Sequence, residues 1–229
     1  YNHYAYGYAL TQKKSPPLFL ALDEMKKVLS IEPRFAQAHQ TMGWIYQQLE
    51  KKYPGQEPWL EKSLISFDTA VDLIDSTIDY EMYNAVLLNK GYSYFLLGKT
   101  DLCFSTWLEL ELRQPVWQNE KQQFLFRLFF IRASIQQKFY DVALDQAVLA
   151  QTLDNISDEN RKVITTLMAT INFVEKEYIE ALALYDRALM LHQKIIKGSN
   201  KKQQMLNSPA SKLIVLRMKM LTLFAMEKF

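Results

Sequence analysis

The residues able to do chemistry are few and scattered. The three histidines, His3, His39 and His192, lie far apart, and no two have the spacing of a metal-binding HExxH helix. Cys103 is the single cysteine, so it can form neither an internal disulfide nor a zinc site. As a nucleophile it would need a cation or a histidine beside it, and its surroundings in sequence point to none. The paired carboxylates, Asp23-Glu24, Glu109/Glu111 and Asp158-Glu159, are expected to be exposed helix charges, not an acid and base held for proton transfer. There is no Walker loop, no GxGxxG and no GxSxG. The expectation is a protein with no enzymatic centre, no metal and no cofactor.

What is organised is the order of helix-packing residues. Between residues 84 and 117, Leu87, Gly91 and Tyr94 are followed by Gly98, Cys103, Trp107, Leu110 and Pro115. The order is a small slot, an aromatic slot, a turn glycine, a second run of packing residues and a closing proline. It returns about every 34–40 residues, and such a hairpin must stack on neighbours to bury its apolar face. Units are expected at about 1–34, 35–77, 84–117, 120–155 and 160–193. The first holds a helix over 1–12 with Gly7 in the small slot, broken by Ser15-Pro16-Pro17, then a helix with Ala21, Met25 and Val28 on its buried face and Pro33 at its end. The second has Met42, Gly43 and Tyr46, then Ser63, Phe67 and Ala70, with about eight extra residues between them. That insertion, 51–58 with a turn at Pro54-Gly55, is either a docking loop or a tolerated surface addition. The fourth has Phe130 and Ile131 where a small residue is expected, followed by Ala143, Ala147 and Ala150; the fifth has Met168, Ala169 and Asn172, then Ala181, Tyr185 and Ala188. A polar loop is expected over 197–208 and a last helix over 209–228.

Bulk properties agree with this. The 229 residues suffice for five to six helix pairs, and 49% apolar with 23% charged residues is ordinary for a globular chain. Aromatic content of 13% suits gaps between stacked hairpins, and six Gly with seven Pro disfavour a turn-rich β fold. Net charge is +2, yet Arg187, Lys194, Lys197, Lys201, Lys202, Lys212, Arg217 and Lys219 fall in a stretch, 187–226, without an acid, leaving −6 on the rest. No apolar run reaches the ~20 residues that span a bilayer. The chain starts at Tyr1 and is read as part of a longer protein, cytoplasmic or periplasmic.

Met42, Gly43 and Tyr46, Gly91 and Tyr94, the second-helix slots Ser63, Phe67 and Ala70 and Ala181, Tyr185 and Ala188, and the closing Pro33 and Pro115 together resemble the tetratricopeptide repeat (TPR) family. The chain departs from the family pattern at Ile131, at the insertion 51–58, and at Asp75 and Gln193, where closing prolines are absent. The resemblance implies an all-α, right-handed α-solenoid of about five hairpins plus a C-terminal helix, with first helices lining a concave face. It implies that Tyr8, Trp44, Tyr92, Arg132 and Thr170, just after the small slot, face that groove with Tyr4, Gln40, Leu88, Leu128 and Thr166 a turn earlier. Gln47, Phe95 and Ile135 could contribute a turn later. Some family members clamp a C-terminal carboxylate with Lys, Asn and Arg in such slots; here Tyr, Trp, Gln and Leu stand there, with Arg132 as the one cation.

The function expected from this is a non-enzymatic protein–protein interaction scaffold. It would hold a partner's peptide or helix on Tyr4, Tyr8, Gln40, Trp44, Gln47, Leu88, Tyr92, Phe95, Leu128 and Arg132, since rings bring contact area with little side-chain entropy to lose. The alternative is that these rings simply pack against neighbouring helices. Two other functions stay open: a sensor or regulatory module of a larger protein, and contact of the basic C-terminal stretch with anionic membrane or nucleic acid. Self-association through the C-terminal helix is a further possibility.

Overall fold

The computed structural model describes residues 2–198 together with Lys219 and Thr222. The described residues form helices and no strand: α1 (Asn2–Thr11), α2 (Leu18–Ile31), α3 (Ala36–Lys52), α4 (Trp59–Leu73), α5 (Tyr80–Leu96), α6 (Thr100–Leu112), α7 (Glu120–Gln136), α8 (Tyr140–Gln151), α9 (Asp158–Val174) and α10 (Tyr178–Gly198). The chain divides into two compact units, Tyr1–Val116 and Trp117–Phe229. The expected loop 197–208 and most of the expected helix 209–228 lie outside the described residues; Lys219 and Thr222 are helical.

Helices pair in sequence order. In the first unit α1 packs on α2, α3 on α4 and α5 on α6; in the second, α7 packs on α8 and α9 on α10. Each second helix then meets the first helix of the next pair within its unit: α2 with α3, α4 with α5, α8 with α9. The cores show the same stacking. One joins Ala21, Leu22, Met25 and Val28 of α2 to Ala38, Ile45 and Leu49 of α3. Another joins Phe67, Ala70 and Ile74 to Val86 of α5, and in the second unit Ala143, Ala147 and Ala150 of α8 meet Ile164 and Ile171 of α9. Each of these three cores spans adjacent hairpins, so burial there is completed by the neighbour; Ala169, Ala181, Tyr185 and Ala188 instead form a core within the α9–α10 pair.

Within each pair the small slot works by steric exclusion. A Cβ on Gly7 would lie 2.5 Å from Met25 Cε, one on Gly43 would lie 2.5 Å from Phe67 Cε1, and one on Gly91 would fall inside the Trp107 indole. In the fourth pair the bulk is exchanged: Ile131 fills the first-helix slot, and Ala147, in register with Trp107, is the small partner in the same core. The fifth pair sets Ala169 with Tyr185. The unusual Ile131 is therefore matched by a loss of volume across the interface, as close packing requires.

Three first helices end alike. The N–H of Lys99 donates to Tyr94 O at 3.0 Å, that of Phe139 to Ser134 O at 2.9 Å and that of Glu177 to Asn172 O at 2.8 Å. Each closes a Schellman-type turn whose preceding residue, Gly98, Lys138 or Lys176, sits at φ 69, 62 and 68°. Starts are capped by side chains at Asn119, which accepts from Gln122 N–H, and at Ser157, which accepts from Asn160 N–H. The insertion and the start of α4 fold two rings onto α2 and α3. Tyr53 lies 5.7 Å from Phe19, and the buried Trp59 lies 6.1 Å from Tyr46 with Lys62 Nζ 4.9 Å from its ring.

Candidate partner-binding wall of the first unit

In the first unit α1 touches α3 and α3 touches α5, so the three first helices form a layer of their own beside the second helices. Tyr4 and Tyr8 of α1, Gln40 and Trp44 of α3, and Leu88 and Tyr92 of α5 are at equivalent positions on those helices, one turn apart in each case. Tyr8 is 47% exposed, and its ring centroid lies 6.0 Å from that of Tyr4 in a stacked pair. Tyr4 is half-buried and meets Phe35 edge to face at 4.9 Å. Burial pushes the Tyr4 phenol up from its ordinary value, a shift opposed by its hydrogen bond with Thr41. Trp44 is half-buried and packs against the α1–α3 core, while Gln40, Leu88 and Tyr92 are half-buried. The Leu88 carbonyl accepts the Trp107 indole N–H at 3.1 Å, which fixes α6 against α5 directly behind this row.

Two expected groove residues have other duties. Gln47 is 3% exposed and is an interior strut: its Nε2 donates to Asn89 O at 2.7 Å and to Ser93 Oγ at 2.8 Å, joining α3 to α5. Its carboxamide is turned to those partners because Ser93 and Ser63, 2.8 Å apart between α5 and α4, leave a buried polar site that needs a donor. Gln47 is thus corrected from a ligand contact to a packing residue. Phe95 is half-buried and stacks on Trp107 at 6.2 Å, so much of its ring is used within the pair.

The second unit holds the remaining positions. Leu128 and Ile135 pack half-buried on the α7–α8 core. Arg132 is exposed, with its guanidinium carbon 6.0 Å from the Phe129 ring centroid. Thr166 and Thr170 turn their hydroxyls back to the carbonyls of Lys162 and Thr166. Sequence reasoning gave no sign of a cleft of about 610 Å³ at the starts of α7 and α9, floored by Phe124 and Ile156 and rimmed by Lys121, Asn155 and Asn160. It also missed the buried Arg127, which donates to Gln146 as an interior strut of α7 on α8.

The groups singled out for chemistry have structural roles. His3 Nδ1 lies 2.6 Å from Glu24, His39 Nε2 bonds Pro33 O at 2.8 Å, and His192 is buried. Glu24 departs from the expected exposed charge: it is 5% exposed, held between Lys27 at 2.7 Å and His3. The Lys27 ammonium, and secondarily His3, hold its carboxyl below the ordinary range. Glu109 accepts from the Tyr83 hydroxyl at 3.1 Å, and Asp158 and Glu159 pair with Lys194 and Lys162. Burial pushes the Cys103 thiol up to about 12, which removes the thiolate a nucleophile requires. Of the basic C-terminal charges, Lys194 is committed to Asp158 and Lys219 to Asp186. Arg187 is exposed; Lys197 as a side chain, and Lys201, Lys202, Lys212 and Arg217, lie outside the described residues. Among the described residues no group of three His, Cys, Asp or Glu could hold a metal ion, and no helix is long and apolar enough to cross a membrane.

No family model and no curated protein sequence matches the chain. Solved structures do. That of MamA aligns with a TM-score of 0.58 at 13% identity, over 79% of this chain and 91% of MamA. That of PilF from Pseudomonas aeruginosa aligns with a TM-score of 0.56 at 16% identity, over 99% of this chain and 90% of PilF. Both are TPR-containing proteins. With helix pairs stacked second helix to first helix, and with the glycine slots of α1, α3 and α5, the fold of this chain is that of the tetratricopeptide repeats.

Proposed function

We propose that the chain is a non-enzymatic interaction scaffold and that the first-helix layer of its first unit takes a segment of a partner protein. One observation carries this: rings at equivalent positions of α1, α3 and α5, Tyr4, Tyr8, Trp44 and Tyr92, stand on one layer and keep part of their surface in water. Rings that served only as core would be closed off, as Phe67 and Trp107 are. Half-covered Tyr and Trp on a rigid support are the residue types that dominate binding hot spots, because they bring large area with two side-chain torsions to fix. The histidines and the thiol are engaged in packing or hydrogen bonds, which supports a binding activity over a chemical one.

The test is the Trp44→Ala/Tyr92→Ala double variant with its helicity checked by circular dichroism. Affinity for an identified protein partner is expected to fall by at least about tenfold, the loss of roughly one hot-spot residue. Unchanged affinity in a folded double variant removes the wall from the function.

A further inference from the structure

The first unit sorts its charges between layers. α1 contains no Asp, Glu, Lys or Arg, and α3 has none from Ala36 to Leu49. Between Met82 and Leu96 of α5 the only one is Lys90, which is drawn back to Asp68 of α4 at 2.7 Å. The second helices are the reverse: α2 carries two acids and two lysines, α4 three acids and a lysine, α6 three acids. A helix face that stays in water is ordinarily kept there by charged residues. The other charges of α3 and α5, Glu50, Lys51, Lys52 and Glu81, stand at the helix ends, so the stretches that carry the half-exposed rings hold the single charge of Lys90, the composition of an interface centre and not of a solvated surface.

Resting on the reading of the wall as a binding surface, we infer that its occupant is a protein segment presenting aliphatic side chains and no formal charge. The physical reason is desolvation. A Lys or Glu brought against Tyr8, Trp44 and Tyr92 would lose water without gaining an opposite charge in return, the costly case of an unpaired buried ion. Aliphatic side chains lose nothing of that kind and gain the ring faces, while Gln40 and the Tyr8 hydroxyl remain to pair with neutral polar groups of the segment. Association built this way has little ionic contribution to screen, so it holds its strength as salt rises.

The experiment selects binders for the full chain from a displayed library of random peptides of about 16 residues and measures their affinities by fluorescence anisotropy from about 50 to about 500 mM NaCl. Enriched peptides are expected to share aliphatic anchors free of Lys, Arg, Asp and Glu. Their affinity should change by less than about twofold over that range. Tyr8→Ser and Trp44→Gln should each weaken them at least about tenfold, with Asp72→Asn on α4 as the neutral control and circular dichroism melts showing that each variant folds. Enriched peptides that are charged and weaken steeply with salt, while still responding to Trp44→Gln, overturn the inference and leave the wall as the binding surface. Peptides indifferent to both wall substitutions, or no enrichment at all, overturn both. Sedimentation that shows self-association abolished by Trp44→Gln assigns the wall to a second copy of the chain and also overturns the inference.

Discussion

Gly91 with Trp107 and Ile131 with Ala147 are one arrangement written twice, with the bulk on opposite helices. Packed interiors have no spare volume, so the two positions of such a pair are coupled and neither is free to vary alone. Ala147→Phe, which imitates the commoner arrangement, is therefore expected to destabilise the protein by about 1–3 kcal/mol, because Ile131 already fills the space. Ile131→Ala made in addition should restore part of that loss. Urea denaturation of the two single variants and the double closes the cycle, and purely additive effects would remove the coupling. Glu24 makes a second residue-scale point. Its folded-state carboxyl is held low by Lys27 and His3, so the stabilisation is present above the ordinary carboxylate value and is lost as pH falls through the lower folded value. Between about pH 5 and about pH 3 the melting temperature should drop more steeply for the wild type than for Glu24→Gln. Parallel curves would mean that the His3–Glu24–Lys27 cluster contributes nothing.

At the scale of the element, the repeat is cut by its turns. Three first helices close with the same hydrogen-bond pattern, yet only Gly98 is suited to the left-handed residue it requires; Lys138 and Lys176 hold that conformation against the crowding of their own Cβ. Lys138→Gly and Lys176→Gly are each expected to raise stability by about 0.5–1 kcal/mol, the relief of strain less the added freedom of the unfolded glycine. Thermal melts of the single variants measure it; a fall in melting temperature would show that the lysine side chains make compensating contacts. The insertion is another element with a defined part. Its Tyr53 packs on Phe19 of α2 and the Trp59 that follows it packs on Tyr46 of α3, while 54–58 stay in water.

For the molecule as a whole, four of the cores can be assigned to one unit or the other. The α2–α3 and α4–α5 cores lie within Tyr1–Val116, and the α8–α9 and α9–α10 cores lie within Trp117–Phe229. Residues 1–116, which contain three complete helix pairs, are accordingly expected to fold alone with a helical circular dichroism spectrum and a cooperative melt, about three repeats being the number such stacks need. A broad, non-cooperative melt of that fragment would show that its cores are finished only in the longer chain. The proposed wall lies within the same fragment, which makes it the natural minimal binder.

Local chemistry wrote the helices and their order. The spacing of Gly43 to Tyr46 and of Ala181, Tyr185 and Ala188, the prolines after α2 and α6, and the glycine at 98 each act within a turn or two of chain, so periodicity alone reveals them. The small slots of α1, α3 and α5 were legible for the same reason. What only tertiary structure decided is which side of an amphipathic or mixed residue is used. Gln47 and Tyr8 both read as groove positions, yet one is turned inward by Ser93 and Asn89 and the other is left half in water. Glu24 reads as a solvated charge, yet it is an interior link because Lys27 and His3 face it, and Arg127, which no local pattern marks, is an interior link because Gln146 faces it. Ile131 departs from the family pattern in sequence, and only the core it shares with Ala147 accounts for it. Periodicity is set by bonds along the chain, whereas burial and pairing are set by residues far away in sequence, and no window of sequence contains those.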